Sequence, residues 1–312
     1  MGPALCLLSA ALFGAMAIFG KLAYDADVTP QELVLVRFTI AAALLWLLHA
    51  VSRDRRSLRP GTTIDGSAVR NWRPVVTALG LGAFGYALQA SLFFSALDRV
   101  DAPMVSLVLY TYPALVTVAA VLLGRERLSG PRVAALVAAS AGTLLVLVGA
   151  GAVGFEAAGV AFAFGAALTY TVYILVADTT VHQLHPIPLS ALVMTGAAAA
   201  LALRAALTGG VRLDFESAGW LWIAFIAVVS TVGAMLAFFA GLKLVGPSTA
   251  SILSAFEPVT TTVLAAVTLG ELLTPVQLVG GILVLASVAL VQLRPRGRTA
   301  TLEVVREPAR AA

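Results

Sequence analysis

The sequence predicts an all-α integral membrane protein: ten transmembrane helices arranged as two five-helix repeats of inverted topology. Three observations carry that prediction. The 312 residues are 60% hydrophobic and only 12% charged, with a mean hydropathy of +0.97, which is too little charge to cover a soluble surface. Apolar runs of membrane-spanning length, about 20 residues, follow one another almost end to end. Two proline-interrupted runs, 100–123 and 245–269, also occupy equivalent places in the two halves of the chain, with Pro113 and Pro258 near their middles.

The first run, 3–24, starts at Pro3 with no basic segment before it. It exceeds the apolar core of a removable signal peptide, about 7–15 residues, and so reads as a span. MGPALC places Cys6 where N-myristoylation requires Ser or Thr. Cys6 is also the single cysteine, which excludes an intramolecular disulfide. The second run, 32–51, holds Arg37 one turn inside, where it can pair with Glu32 or extend its head to the interface, readings simpler than the alternative of meeting an anionic substrate. Residues 52–72 are arginine-rich with Gly61 and Gly66 and read as a cytoplasmic loop whose simplest role is to orient the helices.

Runs 73–96, 101–123 and 131–150 complete the first repeat, 1–150. Runs 157–180, 187–208, 217–241, 247–269 and 275–293 form the second, 151–293, followed by a polar tail, 294–312, expected to be disordered and cytoplasmic. From Pro113 the chain reads PALVTVAAVLLGRERL and from Pro258 PVTTTVLAAVTLGELL, so a constant shift of 145 places Glu126 on Glu271 and Leu128 on Leu273. Nearer the N-terminus a shift of 156 pairs Pro30 with Pro186 and Leu33 with Leu189. An odd number of spans per repeat inverts the second half, as in many carriers with a midplane site between broken helices.

With the N-terminus cytoplasmic and ten alternating spans, 15 of the 20 basic residues fall on the cytoplasmic side. Four (Lys21, Arg99, Arg204 and Arg212) fall on the other side, and Arg37 lies within a span. That bias places both termini in the cytoplasm. The basic pI is therefore a topological signal, not a nucleic-acid footprint. Abundant alanine and a strong preference for arginine over lysine suggest a bacterial source, hence a cell inner membrane as the expected location.

The sharpest functional residue is Glu257, midway along the ninth run beside Pro258. An ionisable group at membrane depth marks a functional site by default. Proline removes a backbone donor and frees the preceding turn's carbonyl for a ligand or ion. Glu257 is therefore expected to couple protons, against the plain alternative of a structural carboxyl in the kink. Ser251, Ser254, Glu257 and Thr261 recur on one helical face, and Ser106, Tyr110, Pro113 and Thr117 form a similar stripe in the fourth run. Under the shift, Tyr112 occupies the place of Glu257. Tyr86 with Gln89, and Tyr170 with Tyr173, sit deep in their runs and complete the expected substrate-binding set; Phe13, Met16, Trp222 and Phe238 are weaker members. Pro113 and Pro258 are the expected hinges.

Enzyme-like patterns fail on context. GLGAFG at 80–85 and GAGAVG at 149–154 satisfy G-x-G-x-x-G but sit in or beside membrane-length runs, where their glycines serve helix packing. Asp98 with Asp101 is a lone pair at a span end. Asp178, His182 and His185 have helical spacing for a metal but read more simply as a solvated loop. HExxH, GxSxG and Walker A patterns are absent, so neither a cofactor, a metal nor ATP is expected. The competing readings are an integral membrane enzyme acting on a lipid or isoprenoid, and a membrane sensor without flux.

Together these residues resemble the EamA family of the drug/metabolite transporter superfamily. Arg37 with Phe38 matches an Arg-Phe pair early in that family's second helix, and Pro113 with LLGRERL matches its fourth helix. Glu257, Pro258 and Val259, followed by Leu269, Gly270 and Glu271, match the second repeat. The second repeat departs from the pattern, with Val193 and Met194 where Arg-Phe would recur. The resemblance implies a carrier exporting or exchanging small metabolites, amino acids or drugs. Its partners would be membrane lipid, a small-molecule substrate and protons, with no nucleic acid; it leaves the substrate, direction and oligomeric state open.

Overall fold

The computed structural model describes residues 1–51, 72–124, 130–150, 156–177, 184, 186–238, 240, 241, 244 and 253–292. The described chain is all-helical. In chain order the helices are α1 (Gly2–Tyr24), α2 (Pro30–Val51), α3 (Arg73–Leu97), α4 (Ala102–Leu109), α5 (Tyr112–Leu122), α6 (Gly130–Ala150), α7 (Ala157–Ala177), α8 (Pro186–Leu207), α9 (Ser217–Phe238), α10 (Phe256–Thr268) and α11 (Pro275–Gln292).

Among the described residues, seven helical stretches are long and apolar enough to cross a membrane: α1, α2, α3, Ala102–Ala119, α7, most of α8 and α9. The other three expected spans coincide with α6, α10 and α11. Of these, α10 is 13 residues long, because the chain turns at Ala255 and residues 245–252 lie outside the described set. The outer surface is apolar: Phe84, Leu122 and Val267 are 80%, 81% and 79% exposed. Such a surface is stable only against lipid. This is a multi-pass membrane protein.

Helix starts follow local sequence. TPQE at 29–32 and TPVQ at 274–277 each form a capping box with proline at the first helical position. The Thr29 N–H donates to Glu32 Oε2 (2.8 Å) and the Thr274 N–H to Gln277 Oε1 (2.9 Å). α5 and α10 end on Gly124 and Gly270, both with φ +69°, the left-handed conformation that closes a helix C-terminus.

Because lipid is as apolar as the side chains, association of the helices rests on close packing and interhelical hydrogen bonds. Gly142 of α6 faces Gly280 of α11 so closely that a Cβ on either would lie 2.6 Å from the other's carbonyl oxygen. Trp46 Nε1 donates to Thr195 Oγ1 (2.9 Å), joining α2 to α8. Ser9 Oγ donates to the Ala234 carbonyl (2.8 Å), joining α1 to α9. The core centres on Phe38, Phe94, Leu33, Leu45 and Ile223, each at most 1% exposed.

The pairing of helices repeats between the halves. α2 packs on α8 and α6 on α11; α1 packs on α9 and α10, while α7 packs on α3 and on α4 with α5. Both α3 and α9 contain a π-helical turn, at Leu81–Tyr86 and Val228–Gly233.

Candidate functional site

The break between α4 and α5 falls at Tyr110 and Thr111, two residues before Pro113. There ψ of Tyr110 is 7° and the Thr111 N–H reaches only the Val108 carbonyl (3.2 Å). In the second half, Pro258 supplies no N–H to the Ser254 carbonyl one turn earlier. That carbonyl accepts the Tyr110 hydroxyl at 2.7 Å, and the same hydroxyl lies 2.9 Å from Glu257 Oε2. One proline thus frees an acceptor, and the other half's broken helix supplies the group that uses it.

Gly14 permits α1 to lie against this point: a Cβ there would come 2.7 Å from the Glu257 carbonyl oxygen. Thr261 Oγ1 donates toward the Gly14 carbonyl (3.0 Å) and its own helix's Glu257 carbonyl (3.1 Å), which ties α10 to α1.

Two adjoining cavities meet at Glu257. The larger, about 360 Å³, and the smaller, about 130 Å³, share Phe13, Tyr86, Tyr110, Tyr112, Tyr170 and Glu257 as wall residues. Five of the chain's six tyrosines therefore converge on one space. Their rings form a continuous series: Tyr110 to Tyr112 at 5.7 Å, Tyr112 to Tyr170 at 4.8 Å, Tyr170 to Tyr173 at 5.9 Å, and Tyr173 to Tyr86 at 5.8 Å between centroids. The larger cavity extends past Ser254 to Ala177, Ser190 and Phe238, at neighbouring ends of α7, α8 and α9.

At the opposite end of the bundle, Lys21 Nζ pairs with Glu271 Oε1 at 3.3 Å. Glu271 Oε2 accepts the Ala102 N–H at 2.7 Å, so one carboxylate links α1, the start of α4 and the end of α10.

Of the expected binding residues, Tyr86, Tyr110, Tyr112, Tyr170 and Glu257 line both cavities, Tyr173 and Ser254 the larger, and Gln89 the smaller. Ser106 and Thr261 are buried at 4% and 2% exposure and line neither cavity. Ser251 and Glu126 lie outside the described residues, as do Asp178, His182 and His185. Among the described residues no cluster of three metal-ligating side chains occurs. Asp98 pairs with Arg99 (3.3 Å), and neither it nor Asp101 is on a cavity wall. Of the weaker members, Phe13, Met16 and Phe238 line a cavity, whereas Trp222 stacks on Phe19 at 6.0 Å. In GLGAFG, Gly82 lies against the Val193 carbonyl and Gly85 against the Tyr173 ring, as packing glycines do.

Arg37 corrects the sequence reading. Glu32 is committed to its capping box, and the guanidinium turns inward instead of reaching an interface: the residue is 2% exposed and lines the smaller cavity. Its Nε donates to Thr231 Oγ1 at 2.9 Å, while Thr231 donates to the Ile226 carbonyl five residues back, within the π-helical turn of α9. Thr231 was not legible as a partner, because the contact joins residues 194 positions apart. The cavity contacts from Met194, Met235 and Phe93 carried no distinguishing sequence signal either.

Comparison with known proteins gives the family. A model of the EamA-like transporter family matches residues 1–148 and again 157–293. The chain belongs to the EamA-like transporter family. This EamA-like protein is 28% identical over 287 residues to the uncharacterized transporter YcbK of Bacillus subtilis (strain 168), covering 89% of the chain and 88% of that relative. It is 27% identical over 289 residues to an uncharacterized transporter of Archaeoglobus fulgidus, covering 93% and 95%. A crystal structure 21% identical in sequence superposes with a TM-score of 0.64 over 93% of this chain and 95% of the other, a likeness of fold alone. Family and relatives together make this EamA-like chain a membrane transporter.

Proposed function

We propose that the protein is a secondary carrier that exports or exchanges small metabolites, amino acids or drugs by alternating access, coupled to protons through Glu257. The observation that carries this is the placement of Glu257. It is an ionisable group on the wall shared by two cavities, bonded to Tyr110 from the other half and flanked by a carbonyl that Pro258 frees. Tyr110 has one hydroxyl proton and two acceptors within 2.9 Å. A proton on Glu257 completes the set, since the carboxyl then donates to Tyr110 while Tyr110 donates to Ser254. Loss of that proton leaves one hydroxyl shared between two acceptors, so the local bonding depends on the protonation of Glu257.

Two five-helix repeats of inverted topology, about 1–150 and 151–293, are supported by the double family match and by helix pairings that map onto themselves when the halves are exchanged. The breaks preceding Pro113 and Pro258 are the hinges of the motion, and the substrate sits among Tyr86, Gln89, Tyr110, Tyr112, Tyr170, Tyr173, Ser254 and Glu257. Ser106 and Thr261 lie on the same helix stripes, buried behind these walls. The basic-residue bias supports an inner-membrane protein with both termini cytoplasmic.

Counterflow of a mixed metabolite pool into proteoliposomes, with and without a pH gradient, tests the reading. Accumulation above empty liposomes is expected, with a gradient dependence that Glu257→Gln abolishes while counterflow persists. Unaltered gradient dependence in that variant removes the coupling role, and absence of flux for every compound removes the carrier.

A further inference from the structure

A single guanidinium meets both π-helical turns described above. Arg37 of α2 donates from Nε to Thr231 Oγ1 at 2.9 Å, inside the turn of α9. Its Nη2 lies 3.5 Å from the hydroxyl of Tyr86, the last residue of the turn of α3. Phe38 and Phe94, both 0% exposed, hold the head from the sides, at 5.0 and 5.5 Å from the guanidinium carbon. In both turns the N–H that follows reaches a carbonyl five residues back: Ala87 to Gly82, and Ala234 to Val229. Such turns are rare and gather at functional sites.

A π-helical turn admits one extra residue between two α-helical stretches. Relaxing it to α-helix rotates everything beyond it by one residue's step, about 100°. In α9 the stretch beyond the turn carries Met235 and Phe238, both on the wall of the larger cavity. After that rotation Met235 would point where Leu236, 38% exposed on the outer surface, points now. Ala237, which lines neither cavity, would take the direction of Phe238. The register of this turn therefore decides which side chains of α9 the cavity meets.

The turn's own bonding is incomplete. Among the described residues, the Ser230 hydroxyl is the one buried side-chain polar atom without a hydrogen-bond partner, which is a local penalty. Thr231 beside it is fully used. Its oxygen accepts the Arg37 Nε–H, which leaves its proton for the Ile226 carbonyl five residues back at 2.8 Å.

We propose that Arg37 is a positioning residue: its bond to Thr231 holds the π-helical turn of α9, and the held turn aims Met235 and Phe238 into the larger cavity. The inference goes beyond the carrier reading, since it concerns what shapes the cavity.

The experiment places single cysteines in a Cys6→Ala background and reads their labelling rate with a polar methanethiosulfonate in proteoliposomes. With Arg37 and Thr231 intact, Met235→Cys is expected to react several-fold faster than Ala237→Cys. Arg37→Gln reverses that order. Thr231→Val, which removes the hydroxyl with little change of shape, reverses it too and keeps the test open should Arg37→Gln not fold. The double variant matches either single one, because both remove the same bond. Thr231→Ser, which retains the hydroxyl, retains the native order. Ser254→Cys, on the same cavity but outside α9, keeps its rate throughout. An unaltered order in Thr231→Val, or a change that Ser254→Cys shares, overturns the proposal. The first result is also what an Arg37 serving only as a ligand contact would give. Labelling needs no flux, so this proposal can fail while counterflow persists, and absence of counterflow removes the carrier reading alone.

Discussion

Tyr110 and Glu257, 147 residues apart, meet through a 2.9 Å hydrogen bond that joins the broken helix of one half to the broken helix of the other. The same hydroxyl reaches the Ser254 carbonyl at 2.7 Å, so a single side chain holds the second half's acid and its interrupted backbone together. The link is internal, with Tyr110 only 3% exposed. Perturbing it should therefore register in both stability and transport.

Tyr110→Phe removes that hydroxyl while keeping the ring. The expected loss is about 1–2 kcal/mol of stability, since a buried acceptor is left without its donor, together with a several-fold fall in counterflow rate. Tyr24→Phe is the control: Tyr24 lines neither cavity and its hydroxyl donates to the Phe94 carbonyl at 2.7 Å, so stability falls similarly but counterflow is retained. Thermal unfolding in detergent and flux on the same preparations make the comparison.

Ser254 and Ser106 separate cavity from packing. In a Cys6→Ala background, which removes the one native thiol, Ser254→Cys should react with a polar thiol reagent and be protected by transported substrate. Ser106→Cys should not react, because Ser106 is 4% exposed and lines neither cavity. Equal reactivity at the two positions would contradict the cavity assignment.

Gly14→Ala places a Cβ 2.7 Å from the Glu257 carbonyl and 2.9 Å from Thr260 Cβ, so α1 and α10 must separate. A cost of about 1–3 kcal/mol is expected from such overpacking, with slower counterflow. Gly80→Ala meets open space on α3 and should be neutral or stabilising by about 0.5–1 kcal/mol.

Lys21→Met breaks the ion pair that closes the end of the bundle opposite Ala177 and Phe238. The pair is partly buried, with side chains 20% and 15% exposed, so its contribution to stability is modest, about 1 kcal/mol. The clearer readout is access. Labelling of Ser254→Cys by a membrane-impermeant reagent added to the Lys21 side should increase in this variant, and an unchanged rate would show that the pair does not restrain opening.

Most of the architecture was legible because the lipid solvent imposes strong local rules. An exposed backbone polar group is intolerable in hydrocarbon, so long apolar runs become helices, and seven helical stretches among the described residues are long and apolar enough to cross a membrane. The two prolines announced two interruptions, whereas the capping boxes TPQE and TPVQ, which start two helices, came to light only with the structure. The break between α4 and α5 nevertheless fell before Pro113, because the ring obstructs the preceding turn and not its own position.

The sequence by itself determined that this chain crosses membranes repeatedly, and it showed a shared proline-centred pattern at a shift of 145 and an acid, Glu257, within an apolar run. These follow from composition, spacing and a motif, all of which are local. Only the tertiary structure decided that Tyr86, Tyr110, Tyr112, Tyr170 and Tyr173 face one space, while Ser106 and Thr261 are buried off both cavity walls. It also turned Arg37 inward onto Thr231 and Tyr86, across 194 and 49 positions of chain. A helical stripe fixes which residues share a face; which neighbour that face meets depends on helix packing set by residues elsewhere in the chain.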